Sequence, residues 1–361
     1  MPSGPQPTGA AEPRIDLTES LPAAGDPNRR DQNGAMAKRV ALALGSGGAR
    51  GYAHIGVLNE LSDRGYEVVG IAGSSMGALV GGLFAAGSLD EFTDWTTTLT
   101  QRAMLRLLDP SISAAGVFRA GKILDAVRDI LGEATIEGLS IPYTAVTTDL
   151  ITGKSVWLQR GPVDEAIRAS IAIPGVIAPH MLDGRLLADG GILDPLPIAP
   201  IAAVNADLTI AVSVSGTETD VGDDQIGGDT RPPRERLNRL LRSTSALFDR
   251  LGTAGEQFGI ADIDDEDPTV GDDLDDAGRG IPKLGSFAVM MRAIDIAQAA
   301  LARHQMAAYP PDLLIEVPRT ACRSLDFHRA AEVIALGREL ATKALDGLDD
   351  DRVDEQRPDL R

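Results

Sequence analysis

Short apolar runs alternate with glycine turns and amphipathic stretches from Lys38 onward. RVALALG and EVVGIAG predict buried strands, and GYAHIGVLNELSDRG and MGALVGGLFAAG predict the helices that follow them. This order is typical of parallel sheets with right-handed crossovers, which bring the loops after the strands to the carboxyl edge of the sheet. We therefore expect an α/β protein whose site lies at that edge.

The same alternation continues along the rest of the chain. AGKILDAVRDILG predicts a helix that ends at Gly132, and PVDEAIRASIAIPG predicts a helix that is stopped by Pro174 and Gly175. Further strands are predicted at IPYTAVTTDL, GKSVWLQRG, GRLLADGG, DLTIAVSVSG and DLLIEVP. A sheet that extends this far beyond its first unit favours one domain, which we place at residues 37–348.

Three segments have a different composition. Residues 1–36 are rich in Pro, Gly, Ala and charge and lack the apolar core of a signal peptide, so we expect a disordered tail and no export. Residues 216–280 are acidic and contain Gly and Pro, which predicts a mobile insertion in the domain. Residues 349–361 are charged, and we expect a disordered C-terminal tail.

Charge and apolar content limit the partners. The formal net charge of −19 argues against a nucleic-acid partner, which requires clustered Lys and Arg. No stretch reaches the roughly 18 apolar residues of a membrane-spanning helix, so any lipid contact would be peripheral. The single cysteine, Cys322, is interpreted as a packed core residue and fits a reducing compartment. We expect a cytoplasmic protein, peripheral to the membrane at most; the oligomeric state is open.

The segment AGSSMGAL contains the pattern G-x-S-x-G, with Ser75 between Gly73 and Gly77. An apolar strand precedes it and a helix-forming run follows it, which is the context of a nucleophile elbow. A serine on such a strained turn projects its hydroxyl from the sheet edge. The alternative is a tight glycine turn with a serine that has no chemical role.

A nucleophilic serine needs a base, and several side chains could serve. Asp189 follows an apolar strand and precedes two glycines, so it is either the base or a turn residue that caps its own loop. Among the four histidines, His180 is a candidate for a triad, and His54 is expected to make a structural hydrogen bond. His304 and His328 are expected on helix faces without a catalytic role.

The opening glycine segment, GSGGARG, follows a strand and precedes a helix. Backbone N–H groups in such a loop can bind an oxyanion, helped by the helix N-terminus. A dinucleotide-binding G-x-G-x-x-G pattern that starts at Gly45 would need a glycine where Arg50 stands, and the second strand ends in Gly73 instead of an acidic residue. The segment is therefore interpreted as an oxyanion hole beside Ser75.

Together these motifs resemble those of the patatin-like phospholipases, in the bacterial branch similar to the neuropathy target esterase catalytic domain. GSGGARG at 45–51 resembles the glycine-rich oxyanion motif of that family, GSSMG at 73–77 its nucleophile elbow, and DGG at 189–191 its aspartate motif. The resemblance covers roughly residues 38–345. It implies a three-layer α/β/α fold with a mainly parallel central sheet.

The resemblance also implies a Ser–Asp dyad without histidine, with Ser75 as nucleophile and Asp189 as proton acceptor. His180 then becomes a pocket-wall or structural residue, and no metal or cofactor is needed. The oxyanion hole is assigned to Gly47, Gly48, Ala49 and Arg50, the last at the basic position of the motif. The remaining motif glycines are Gly45, Gly51, Gly73, Gly77, Gly190 and Gly191.

The implied activity is that of a serine acyl hydrolase on lipid carboxylic esters, of the esterase, lysophospholipase or phospholipase A type. Two alternatives stay open. The same acyl-enzyme would permit acyl transfer to another alcohol, although the acyltransferase signature H-H-x-x-x-D-G is absent. The fold could also serve a catalytically silent lipid-binding regulator, although such a protein would be expected to lose the serine, the aspartate or the glycine loop.

Overall fold

An eight-stranded sheet lies at the centre of the described part of the chain, which is residues 37–103, 121–216 and 286–355 of a computed structural model. The expected tail at 1–36 and nearly all of the expected acidic insertion lie outside these residues. The strands are β1 (Arg39–Leu44), β2 (Glu67–Ser74), β3 (Tyr143–Asp149), β4 (Lys154–Leu158), β5 (His180–Leu182), β6 (Arg185–Asp189), β7 (Leu208–Gly216) and β8 (Leu313–Pro318).

The sheet is parallel in its middle and antiparallel at one end. Its strand order is β5-β6-β3-β2-β1-β7-β8, and β4 pairs with β3. The pairs β1–β2, β1–β7, β2–β3 and β7–β8 are parallel. The pairs β3–β4, β3–β6 and β5–β6 are antiparallel. The expectation of a mainly parallel sheet is therefore confirmed, with hairpins added at one end.

Helices cover both faces of the sheet. They are α1 (Ala53–Asp63), α2 (Met76–Ala85), α3 (Leu89–Thr97), α4 (Gly121–Leu131), α5 (Val163–Ser170), α6 (Ser286–Ala308) and α7 (Ala330–Glu355). Within the described ranges, none of them combines the length and the apolar character needed to cross a membrane.

Side-chain alternation along β1 separates the two faces. Val40, Leu42 and Leu44 pack into the large core with α1, α2 and α7. Ala41 and Ala43 face the other side and belong to a smaller cluster with Ala302 of α6. Because successive side chains of a strand point to opposite faces, one strand supplies both cores, and the small alanines let the second layer approach closely. This confirms the three-layer α/β/α arrangement. Cys322 is buried in the larger core, as expected.

The register around β3 explains how two distant parts of the chain meet. Val146 pairs with Ser74 of β2 and with Trp157 of β4. The next residue, Thr147, pairs with Asp189 of β6 and with Val156 of β4. Because β4 occupies one edge of β3 along both residues, β2 and β6 share the other edge and meet end to end. Ser75 and Asp189 are thereby brought together.

Some boundaries differ from the sequence expectation. Helix α5 ends at Ser170, before Pro174, because the chain turns there and the Ala172 carbonyl accepts a hydrogen bond from the Asp189 amide at 3.0 Å. Strand β5 was not predicted. Helix α7 continues to Glu355, beyond Asp349, where we expected a disordered tail to begin.

Candidate active site

Ser75 lies on the turn between β2 and α2 in a strained backbone conformation. Its φ is 54° and its ψ is −121°, a region that residues with a Cβ rarely adopt. The side chain is buried. This is the geometry expected of a nucleophile elbow, because the sharp turn lifts the hydroxyl out of the sheet edge.

The two glycines of G-x-S-x-G are required by close backbone approach. A Cβ atom at position 73 would lie 2.3 Å from the carbonyl oxygen of Gly77, and one at position 77 would lie 2.1 Å from the carbonyl oxygen of Leu44. Both distances are far below van der Waals contact, and both obstacles are backbone atoms. The glycines therefore let α2 start directly against β1 and β2, which fixes the position of Ser75.

Asp189 contacts Ser75 directly. The Ser75 hydroxyl donates a hydrogen bond from Oγ to Asp189 Oδ2 at 2.5 Å. The other carboxylate oxygen, Oδ1, accepts the amide of Gly191 at 2.7 Å. The sequence left two interpretations open for this residue, a base or a turn cap. The two interpretations are compatible, because one carboxylate oxygen accepts from Ser75 and the other caps the turn through the Gly191 amide.

The environment of Asp189 strengthens it as a base. Burial raises the pKa of its carboxyl from 3.8 to about 6, while hydrogen bonds from Ser75, Gly191 and Ser46 act in the opposite direction. An ionised carboxylate with this pKa takes a proton from a serine more readily than an ordinary aspartate does. Burial thus gives this carboxylate a higher proton affinity than that of an exposed aspartate.

Ser170 is a supporting residue that the sequence analysis missed. It lies at the end of α5 and is fully buried. Its Oγ accepts the Ser75 amide at 2.9 Å and donates to the Val146 carbonyl at 2.6 Å. The hydroxyl therefore ties the strained elbow to β3. No local motif marks it, since the contact depends on a sequence separation of 95 residues.

Both histidines near the candidate site are engaged elsewhere. His54 is fully buried, its Nε2 lies 2.8 Å from the Gly45 carbonyl oxygen, and burial lowers its pKa to about 4. The ring is therefore neutral and donates to that carbonyl, which confirms the expected structural hydrogen bond. His180 accepts from Arg168 at Nδ1 at 2.9 Å and pairs with Glu165 at Nε2. Its two ring nitrogens are thus occupied, while Ser75 is paired with Asp189.

The glycine-rich loop joins β1 to a 3₁₀ turn, Gly48–Tyr52, that leads into α1. The amides at its start are used structurally: Gly45 donates to the Val212 carbonyl and Ser46 to the Pro195 carbonyl. Ala49 donates to the Ser324 carbonyl at 2.8 Å. That bond removes the Ala49 amide from the expected oxyanion hole. The amides of Gly47 and Gly48 have no partner among the described residues, and they remain the candidate donors.

Arg50 also departs from its expected place in the oxyanion hole. Its buried guanidinium donates from Nε to the Gly47 carbonyl at 3.3 Å. Its Nη2 donates to Asp295 of α6 at 3.0 Å and to the Ser324 hydroxyl at 3.0 Å. The side chain therefore ties the glycine loop to α6 and to the segment that contains Ser324.

The other motif glycines lie where two chain segments touch. A Cβ atom at position 190 would lie 2.1 Å from the Val146 carbonyl oxygen, and one at 191 would lie 2.3 Å from the Ser46 hydroxyl. Gly51 faces the Met76 side chain, and Gly45 faces the Val212 carbonyl. The three motifs thus pack against one another around Ser75.

Comparison with known proteins identifies the family. The patatin-like phospholipase family model matches residues 42–202. An uncharacterized NTE family protein of Mycobacterium tuberculosis is 62% identical over 344 residues, covering 88% of this chain and 95% of that protein. The chain belongs to the NTE family of patatin-like phospholipases.

More distant members match over a smaller part of their length. The neuropathy target esterase sws of Drosophila melanogaster is 32% identical over 199 residues, which cover 52% of this chain and 14% of that protein. Among solved structures, VipD from Legionella pneumophila has 14% sequence identity and a TM-score of 0.40, covering 86% of this chain and 67% of that chain.

In this NTE family protein, two pockets meet at Ser75. The first is apolar, with an empty volume of about 720 Å³ that includes its open mouth. The second, of about 390 Å³, has a mixed lining, in which Asp189 and polar groups of the glycine loop and α6 stand beside Ile173, Ile192 and Ile294. The apolar pocket is lined by Tyr52, Leu79, Phe92, Trp95, Ile171 and Phe327, among others. A serine at the junction of an apolar and a mixed pocket is placed where the two unlike halves of one substrate could lie.

Proposed function

We propose that the chain is a serine acyl hydrolase of lipid carboxylic esters that works through a Ser75–Asp189 dyad. The observation that carries the proposal is the 2.5 Å hydrogen bond from Ser75 Oγ to Asp189 Oδ2, made at the junction of the two pockets. Membership of a family whose model is described as patatin-like phospholipase, and whose members include a named esterase, supports a lipid ester as substrate.

Acylation would begin when Ser75 Oγ attacks the acyl carbonyl carbon. The hydroxyl proton passes to Asp189 Oδ2, and the carbonyl oxygen becomes an oxyanion that accepts the Gly47 and Gly48 amides. When the tetrahedral intermediate collapses, the ester C–O bond breaks and Asp189 returns the proton to the leaving alcohol oxygen. Deacylation repeats these steps with water as the nucleophile, and the proton finally returns to Ser75.

The two pockets support an assignment of the substrate halves. The first pocket exposes almost only apolar atoms and suits the hydrocarbon of an acyl chain. The second pocket combines Ser46, Asp295, Gln298 and Ser324 with aliphatic side chains, and we assign to it the alcohol half of the ester, which carries both polar and apolar groups. Ester hydrolysis should therefore improve as the acyl chain lengthens.

Labelling with a fluorophosphonate probe and turnover of p-nitrophenyl esters test this function. We expect wild type and His180→Ala to react, and Ser75→Ala and Asp189→Asn to lose turnover. If folded wild-type protein neither reacts with the probe nor hydrolyses the ester, the alternative of a catalytically silent lipid-binding protein would remain. An inactive His180→Ala beside an active Asp189→Asn would restore a histidine triad.

A lipid panel then separates the substrate classes. Lysophospholipid, phospholipid and acylglycerol are each compared with Ser75→Ala as the blank. Addition of an acceptor alcohol measures how the acyl-enzyme partitions between water and transfer. If most of the product is the ester of the acceptor alcohol, the activity is acyl transfer and not hydrolysis.

A further inference from the structure

Two hairpins extend past the carboxyl edge of the sheet, beyond the level of the dyad. Strand β3 continues after β2 has ended, and β6 pairs with this extension. The Leu150 amide donates to the Leu186 carbonyl at 2.9 Å, so the β3–β4 and β5–β6 turns lie side by side. Strand β3 ends at Asp149, two residues beyond Thr147, the partner of Asp189, so the strand extends roughly 7 Å past the dyad and the turn that contains Ile151 lies beyond its end.

This end of the sheet exposes large apolar side chains. The exposed fractions are 78% for Ile151 and 42% for Leu150 on the β3–β4 turn, 60% for Met181 on β5 and 45% for Trp157 on β4. Val156 and Leu187 pack inward with Ala169 of α5. Because side chains alternate along a strand, Trp157 and Met181 project from the opposite face of the hairpins, and Trp157, the partner of Val146, lies nearer the level of the dyad than the turn does. Large apolar side chains exposed at one end of a sheet mark a contact with another apolar phase.

Cations accompany the apolar side chains. Lys154 and Arg185 are exposed at the tip, and within the described residues neither lies within ion-pair distance of a carboxylate. Asp149, the cross-strand partner of Lys154, accepts the amides of Ile151 and Thr152, and Asp183 is exposed at the β5–β6 turn. In a chain of net charge −19, these two cations and two carboxylates leave the apolar tip close to neutral.

A second apolar feature lies at the same edge. Helix α6 leads into β8, which is parallel to β7, so the helix begins near the carboxyl edge. Val289 and Met290 on its early turns are exposed, while Met291 and Asp295 line the second pocket of the site. Apolar side chains thus stand on two sides of the edge that carries Ser75.

We propose that the hairpin tip surface docks onto an anionic lipid bilayer and holds the mouth of the site at that bilayer. The hairpin tip surface consists of Leu150, Lys154, Trp157, Met181, Arg185 and, at its apex, Ile151. The proposal deepens the proposed function, since it states where a lipid hydrolase meets its lipid.

The chemistry of the surface favours this occupant. Aliphatic side chains at the apex can enter the acyl region, tryptophan is suited to the headgroup level, and lysine and arginine bind anionic headgroups. The rest of a chain with net charge −19 is repelled by such a bilayer. The hairpin tip surface therefore sets the orientation as well as the binding.

Flotation with vesicles tests the surface on the full chain that carries Ser75→Ala, so that no lipid is consumed. The vesicles are phosphatidylcholine alone or phosphatidylcholine with 30% phosphatidylglycerol. We expect binding to the anionic vesicles, at least a tenfold loss in Ile151→Asp/Met181→Asp, and a smaller, salt-dependent loss in Lys154→Glu/Arg185→Glu. The matched control is Tyr309→Asp, 46% exposed at the end of α6 near the opposite edge, which should bind like the parent.

Trp157 supplies a second measurement. Its fluorescence should shift to the blue with anionic vesicles, and a Trp157→Phe variant should lose that shift and keep only the signal of the other tryptophan, Trp95. All hairpin variants are exposed substitutions, and with Ser75 intact they should hydrolyse a soluble p-nitrophenyl ester at the parent rate. That assay tests the proposed function separately, because vesicle binding does not require turnover.

Three results would overturn the proposal. The first is unchanged flotation of the Ile151→Asp/Met181→Asp variant, and the second is no flotation of the parent on either vesicle. The third is a dimer of the parent in light scattering that becomes a monomer in the same variant while vesicles bind neither protein, which would make the surface an interface between copies of this chain.

Discussion

The Nε of Arg50 donates a hydrogen bond to the carbonyl oxygen of Gly47 at 3.3 Å, on the side of the glycine loop that Asp295 and Ser324 also hold. In a trans peptide unit the C=O and the following N–H point in opposite directions. The described residues contain no cis peptide bond. Holding the Gly47 carbonyl therefore turns the Gly48 amide away from the Arg50 side chain, and we expect this orientation to serve an oxyanion beside Ser75, since Gly48 and Ser75 line the same apolar pocket.

We expect Arg50→Lys to lower kcat by roughly 100-fold, the effect of losing one oriented oxyanion donor, with little change in KM. A lysine has one ammonium group and cannot bind Gly47, Asp295 and Ser324 together in the geometry of a guanidinium. Steady-state kinetics on a p-nitrophenyl ester measure the split between kcat and KM.

Asp295→Asn is the matched control, because it weakens the ion pair and leaves the Arg50 bond to Gly47 in place. It should keep most of kcat, and any change should fall on KM, because Asp295 also lines the second pocket. If Asp295→Asn and Arg50→Lys lose the same factor in kcat, the ion pair matters and the Gly47 peptide does not.

The pH dependence should follow Asp189. Its carboxyl must be ionised to accept the Ser75 proton, and burial raises its pKa to about 6. The value of kcat/KM should therefore rise with pH through a single step near pH 6 and then level off. The buried His54, with its pKa lowered to about 4, is neutral across that step and adds nothing to it.

The profile is recorded between pH 4.5 and 8.5, with circular dichroism at each pH to show that the fold is intact. A kcat/KM that is already constant at pH 5 would mean that Asp189 behaves as an ordinary aspartate.

Ser170→Ala should slow catalysis and destabilise the fold, because it leaves the buried Ser75 amide and Val146 carbonyl without their partner. An unsatisfied buried group costs about 1–3 kcal/mol. We expect a lower free energy of unfolding in urea and a lower kcat. Ser155→Ala, on the exposed side of β4, is the control and should match the wild type. An unchanged kcat in a destabilised Ser170→Ala would limit Ser170 to a structural role.

The sequence alone was enough to locate a candidate residue wherever the position of that residue depends on its neighbours in the chain. Ser75 could be located because strand, glycines and helix follow one another, and Asp189 because a strand delivers it directly before two glycines. Ser170, the Ala49 bond to Ser324 and the Arg50 contacts could not be predicted, because each joins segments far apart in the chain. The extension of the hairpins past the end of β2 was not predicted for a related reason. An apolar run indicates a strand, but it does not indicate which strands pair with it or where each pairing ends.

The last prediction concerns Asp194, a buried carboxyl that the proposed mechanism does not use. It accepts Gln305 Nε2 at 2.7 Å, and burial raises its pKa from 3.8 to about 6. The native state thus holds the proton more tightly than the unfolded chain, so this group stabilises the fold at low pH and loses that contribution as pH rises through about 6. A shift of about two units corresponds to about 3 kcal/mol. Asp194→Asn cannot ionise and can still accept from Gln305, so its free energy of unfolding should exceed that of the wild type by up to this amount at pH 8 and match it near pH 4.

Urea unfolding at the two pH values measures the difference, with the exposed Asp129→Asn as a control that should leave the pH profile unchanged. Equal stability of Asp194→Asn and wild type at pH 8 would show that the Asp194 carboxylate is as well solvated in the fold as in the unfolded chain.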